Sequence, residues 1–205
     1  LTKQNVDDAV YQYQHDRNPK ELLFQFTRCM VHFAVDDAQV KFCTRLQGKE
    51  SWFLPFNKGY KDGAGNPPNP DGLMTNYLWK QILTKDMFSR IIENYATLVE
   101  EKDEETGKTR YKQIFPRYHQ LTAVESLLAD VKKNGVGNRY LIQHSAGSGK
   151  SNSIAWLAHQ LTNLEDDQGN LLVDSVIVVT DRVVLDKQIR DTIRQFAQTR
   201  NIIAW

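Results

Sequence analysis

Gly147-Ser148-Gly149-Lys150-Ser151 is the segment of this 205-residue chain whose residue types and spacing can do chemistry. Gly147 and Gly149 let the backbone curl so that successive N–H groups face phosphate oxygens, and a helix beginning at the same place adds the positive end of its dipole. Lys150 supplies a point charge for the β and γ phosphates, and the Ser151 hydroxyl is the type of group that helps to hold Mg²⁺ beside them. The sequence context agrees. Tyr140-Leu141-Ile142 reads as a strand entering the loop, and Ile154, Leu157, Ala158 and Leu161 recur at helical spacing after it. The expected cofactors are therefore ATP and Mg²⁺. One slot departs from the full eight-residue pattern, because His144 stands where the first glycine would be. A dinucleotide loop would need a third small residue at Asn152 and would leave Lys150-Ser151 unexplained. A plain glycine cap before a helix is the remaining alternative.

Two further groups belong to the same expectation. Gln120 lies about one helix ahead of the strand that feeds the loop, and its amide can donate to and accept from an adenine edge at once. Without the phosphate loop, Gln120 would read as a surface glutamine. Thr180-Asp181-Arg182 follows the next strand-like run, on the side of a parallel sheet where ligands bind, so Thr180 and Arg182 are candidate DNA contacts. An aspartate helix cap beside a solvated arginine explains those residues equally well.

The positioning elements follow from periodicity and punctuation. Residues 112–205 alternate helix and apolar strand: a helix over about 117–133, a strand at 139–143, the loop and its helix, a strand at 175–180, and another helix. The 175–180 run is apolar on both faces, as in a parallel sheet covered by helices on each side. Upstream, 31–35, 39–46 and 51–56 read as three strands, the last two joined by a turn at Gln47-Gly48-Lys49-Glu50. A helix over 6–14 starts at an Asn5 cap, with Asp7 and Asp8 placed against its dipole. Residues 59–72 hold too many glycines and prolines for regular structure and form a long loop, which either lines a DNA path or packs on its own domain. Helical spacing returns at 77–83 and 87–98. Residues 100–111, charged and without apolar periodicity, suit a solvated linker between two domains, 1–99 and 112–205.

Composition sets limits. With 26 basic against 25 acidic residues the net charge is +1, so the overall field gives no reason to invoke nucleic acid, and any contact with it rests on local strips. The apolar runs are too short to cross a bilayer, and the first residues show no secretory pattern. Two cysteines, Cys29 and Cys43, lack metal-ligand spacing, which makes the cytoplasm the expected compartment.

Taken together, Arg117-Tyr118-His119-Gln120, the loop from Gln143 to Ser153 and Thr180-Asp181-Arg182 resemble superfamily 2 helicase-type motors. More narrowly, they resemble the restriction (R) subunit of type I restriction-modification enzymes, whose loop also begins His-Ser-Ala-Gly-Ser-Gly-Lys-Ser. Asp7-Asp8-Ala9, Gln12-Tyr13, Asp16-Arg17-Asn18-Pro19 and Leu54-Pro55-Phe56-Asn57-Lys58-Gly59 are similar to the end of that subunit's nuclease domain. The resemblance implies an α/β chain: the tail of a restriction-endonuclease-like domain, then the start of a RecA-like parallel-sheet motor domain. It implies ATP-dependent translocation on double-stranded DNA, endonucleolytic cleavage, and methylation (M) and specificity (S) subunits as partners. The nuclease ligands would lie before Leu1 and the Asp-Glu box after Trp205, so an internal fragment with no catalytic residue of its own is expected. Gln12 would support the nuclease site, although Asp16 stands where the family's tyrosine follows it. Asp7, Asp8 and Asp16 read as helix-end and surface groups. Another superfamily 2 motor, in repair or phage defence, and a non-catalytic ATP-binding DNA scaffold are the rival readings.

Overall fold

A computed structural model describes residues 4–102, 107–181 and 183–200. The chain divides into two compact units, Leu1–Thr97 with Gln113–His119, and Leu98–Lys112 with Gln120–Trp205.

The first unit begins with α1 (Val6–His15), whose start is a capping box: Asn5 accepts from the Asp7 and Asp8 N–H groups, while Asp8 accepts from the Asn5 N–H. Caps of this kind contribute about 1 kcal/mol. The strands β1 (His32–Val35), β2 (Val40–Cys43) and β3 (Leu54–Pro55) form an antiparallel sheet in the order β1-β2-β3. Its register sets Phe33 opposite Phe42, and Phe42 opposite Leu54. Buried aromatic rings follow from that register. Phe56 lies 5.6 Å from Phe33, 5.7 Å from Phe42 and 6.2 Å from Phe115, mostly in the edge-on and tilted arrangements that aromatic rings prefer. Asp36 fixes α1 to the sheet, accepting from the Val6 N–H at 2.8 Å while its other oxygen closes the β1–β2 turn on Ala38 and Gln39.

The loop at 59–72 contains no helix or strand, and it is tied to its own unit. Buried Asn66 donates to the Ala38 carbonyl and to Asn57 Oδ1, and accepts from the Lys58 N–H. Beyond it come a single π-helical turn, Leu78–Ile82, and α2 (Lys85–Asn94). The helical spacing expected to run to residue 98 stops at Asn94, and Thr97–Lys102 is instead strand β4.

In the second unit β4 pairs with β5 (Thr109–Ile114), so both ends of the expected linker at 100–111 lie in strands. The first four residues of β5 are exposed, which leaves no apolar alternation for the sequence to display. Helix α3 (Tyr118–Asn134) buries Leu121, Val124, Leu128 and Val131 along one face. Helices α4 (Lys150–Leu161) and α5 (Val183–Arg200) pack together, with the Trp156 and Phe196 rings 5.6 Å apart and the His159 Nε2 2.8 Å from the Ile193 carbonyl.

The expected parallel sheet is not present among the described residues. Residues 139–143 and 175–180 make no ladder with each other or with a third strand, and Leu141, Ile177 and Val179 are 92%, 84% and 86% exposed. A parallel strand is stable when neighbours take its hydrogen bonds and helices cover both faces, and neither condition is met here. Burial falls on a different face of α4 for the same reason. Ala155 and Trp156 are buried, whereas Ile154, Leu157, Ala158 and Leu161 are half-buried.

Candidate functional site

The phosphate loop takes its shape from two glycines in left-handed backbone, Gly147 at φ +71° and Gly149 at φ +83°. Ser148, buried, lies between them and closes a turn by donating its N–H to the Ser145 carbonyl at 3.4 Å. Gly149 caps α4, its carbonyl accepting from the Asn152 and Ser153 N–H groups at 3.1 and 3.3 Å. The N–H groups of Gly149, Lys150 and Ser151 donate to no acceptor among the described residues. Consecutive unspent donors at a helix N-terminus, where the dipole is positive, are what an anionic ligand needs.

Lys150 is exposed at the head of the helix, and its ammonium donates to the Ser145 carbonyl at 2.8 Å and the His144 carbonyl at 3.2 Å. Those acceptors are neutral. A phosphate oxygen adds the attraction of a full negative charge to the same hydrogen bond, so a polyphosphate can draw the ammonium off the carbonyls. Ser151 sits half-buried in the first turn of α4, beside Lys150. The donor set therefore fits MgATP: Gly147 to Ser151 would cradle its phosphates, Lys150 would neutralise them and Ser151 would help to hold Mg²⁺.

Gln120 joins this site through the backbone. It is only 3% exposed in the first turn of α3, and its Nε2 donates to the Gly149 carbonyl at 2.8 Å. A Cβ at Gly149 would stand 2.5 Å from that same nitrogen, whereas one at Gly147 would meet open space. The sequence flags Gln120 as a base reader but does not reveal this bond, because the acceptor is a main-chain atom 29 residues away. The His144 and Ser145 carbonyls were missed likewise, since no side-chain type announces them.

The remaining candidates lie elsewhere or outside the description. Thr180 is half-buried outside any helix or strand and makes no hydrogen bond to the loop, and Arg182 lies outside the described residues. In the first unit, Gln12 on α1 lines a 510 Å³ cavity with Asn5, Ala9, Asp36 and Asp37. Asp8 closes the α1 capping box, Asp7 pairs with Lys41 at 2.5 Å, and Asp16 is the C-cap of α1. Among the described residues no three His, Cys, Asp or Glu side chains are placed to hold a metal, and no helix is long and apolar enough to cross a membrane.

No curated protein and no solved structure matches the chain. Residues 119–204 match the family described as SWI2/SNF2 ATPase. The matched stretch takes in Gln120, the whole phosphate loop and Thr180-Asp181-Arg182, and it stops short of Gln12. An ATPase of this family uses ATP, generally with Mg²⁺, which is the ligand that the loop's donors fit. The match and the loop together support a helicase-like ATPase of superfamily 2 over this part of the chain.

Proposed function

We propose that this chain is part of the restriction (R) subunit of a type I restriction-modification complex, in which ATP hydrolysis drives translocation of double-stranded DNA before endonucleolytic cleavage. The observation that carries the ATP-driven half is the cradle of unspent N–H groups at Gly149, Lys150 and Ser151 with the Lys150 ammonium at its mouth. Lys150 and Ser151 serve the phosphates and Mg²⁺. Gln120 fixes the end of the loop through the Gly149 carbonyl, and Thr180 and Arg182 are the proposed contacts to DNA. The restriction half rests on the loop beginning His144-Ser145-Ala146 and on the N-terminal segments around Gln12 and Leu54-Pro55-Phe56-Asn57-Lys58-Gly59. The methylation and specificity subunits are the partners in this reading, with the cytoplasm as its compartment.

A second reading has its own support: the matching family is described by its ATPase, not by a nuclease. On that reading the chain belongs to another superfamily 2 DNA motor. Co-expression of the full-length protein with candidate methylation and specificity subunits from the same source separates the two. The restriction reading predicts a stable complex that cuts unmethylated DNA only when ATP is present. A full-length protein that hydrolyses ATP on DNA yet neither joins those subunits nor cuts belongs to the second reading.

A further inference from the structure

The first unit carries a cavity of 370 Å³ that none of the motor residues uses. One wall is Pro67-Pro68, held in place by the neighbouring Asn66 and its bonds to Ala38 and Asn57. The π-helical turn Leu78–Ile82 also lines the cavity, through Lys80 and Gln81. Lys58 is a third part of the lining, its ammonium 4.9 Å from the centre of the Tyr77 ring. Tyr77 is itself fixed, buried and donating its hydroxyl to the Phe56 carbonyl at 2.7 Å, so the cation–π contact sets where the Lys58 charge stands.

Of the polar groups lining this cavity, Asn69 is engaged with Leu73 and Asp71, and Tyr77 with Phe56, while four others are open. Neither Lys58 nor Lys80 has an acidic partner among the described residues, and the Asn76 and Gln81 side-chain amides make no hydrogen bond there. Asp71 is the one acid of the lining and pairs with neither lysine, so two positive charges face one negative. The cavity thus combines two lysine cations, amides that can both donate and accept, and apolar pyrrolidine faces. A nucleic-acid strand presents the counterpart of all three only when it is unpaired, because a duplex keeps its base faces stacked and its pairing edges occupied. An acidic peptide would meet the lysines with carboxylates and the amides with its backbone, but it brings no planar base to Pro67-Pro68.

We propose that this cavity binds an unpaired nucleic-acid strand, with Lys58 and Lys80 on the phosphodiester backbone, Asn76 and Gln81 at a base edge and Pro67-Pro68 against a base face. The site is separate from the phosphate loop, so its test uses the 205-residue chain carrying Lys150→Ala, and its outcome is independent of the ATP reading. A dye-labelled oligothymidylate of about twelve nucleotides, within the usual footprint of such grooves, is titrated by anisotropy at several salt concentrations. Each lysine on a phosphate contributes about −0.7 to the slope of log K against log salt. Lys80→Gln should therefore weaken binding several-fold at low salt and make the slope shallower by about 0.7, with Lys58→Gln doing the same. Lys80 is exposed and its ammonium has no hydrogen bond or ion pair among the described residues, so its variant stays informative even if Lys58→Gln perturbs packing on Tyr77. Unchanged affinity and slope in the Lys80 variant would overturn the proposal. So would competition by thymidine monophosphate as effective, per phosphate, as the strand, or equal binding of a duplex of the same length.

Discussion

Gly147 and Gly149 occupy nearly the same backbone conformation and differ in what surrounds them. Either one replaced by alanine should cost about 1–2 kcal/mol, the strain of an L-residue in left-handed backbone. Gly149→Ala should cost about 1 kcal/mol more, because its Cβ would stand 2.5 Å from Gln120 Nε2 and displace the bond to the Gly149 carbonyl. Thermal or urea unfolding of the two variants measures the difference, and Gln120→Ala added to Gly149→Ala should then cost little, since the bond is already lost. Equal costs at the two glycines would remove Gln120 as the brace of the loop. Lys150 and Ser151 were legible in the sequence because a phosphate cradle needs those residue types at that spacing. The brace and the carbonyls of His144 and Ser145 were not, because main-chain acceptors carry no residue signature and are brought near by tertiary structure.

Among the elements, the sequence is most legible where local chemistry closes the account. The Asn5 cap with Asp7 and Asp8 behind it marks the start of α1 in sequence and structure alike, whereas the Thr84 cap, accepting from the Met87 N–H at 3.4 Å, starts α2 two residues before the expected 87. The three strands were readable from their composition, whereas the β1–β2 turn that Asp36 closes was not, since the turn expected from the sequence lay at 47–50. Segments 139–143 and 175–180 have the composition of parallel strands but not the partners, and composition cannot supply a neighbour. Strand β1 also carries a pH-sensitive group. His32 is 5% exposed, set opposite Cys43, with its Nδ1 3.7 Å from the Cys29 Sγ and the Tyr13 and Phe24 rings beside it. Burial lowers its pKa from the ordinary 6.5. The unfolded chain therefore takes up a proton that the folded one resists, so stability is full above pH 6.5 and declines as the pH falls from there toward the lowered value. Urea unfolding at about pH 7.5 and about pH 5.5 should show a loss in the native chain, bounded by about 1.4 kcal/mol per pH unit, that is smaller in His32→Phe. The same loss in both would place the sensitivity elsewhere.

At the scale of the whole molecule, the near-neutral charge conceals local arrangement. Lys58 and Lys80 line one cavity of the first unit, and Lys150 heads α4 in the second, without any excess that a net charge of +1 would reveal. The two-unit organisation is also finer than composition suggests, since 113–119 groups with the first unit and 98–112 with the second. A single charged stretch gives no hint of such an exchange, which depends on where side chains bury. The measurement that bears most directly on the central claim is ATP hydrolysis by the full-length protein, with and without double-stranded DNA, in the native form and as Lys150→Ala. The cradle at 147–151 predicts hydrolysis that DNA stimulates and that Lys150→Ala lowers by about a hundredfold or more, the loss expected when a charge that stabilises the transferring phosphoryl group is removed. Hydrolysis that persists in Lys150→Ala, or that is indifferent to DNA, would contradict a DNA-driven ATPase built on this loop.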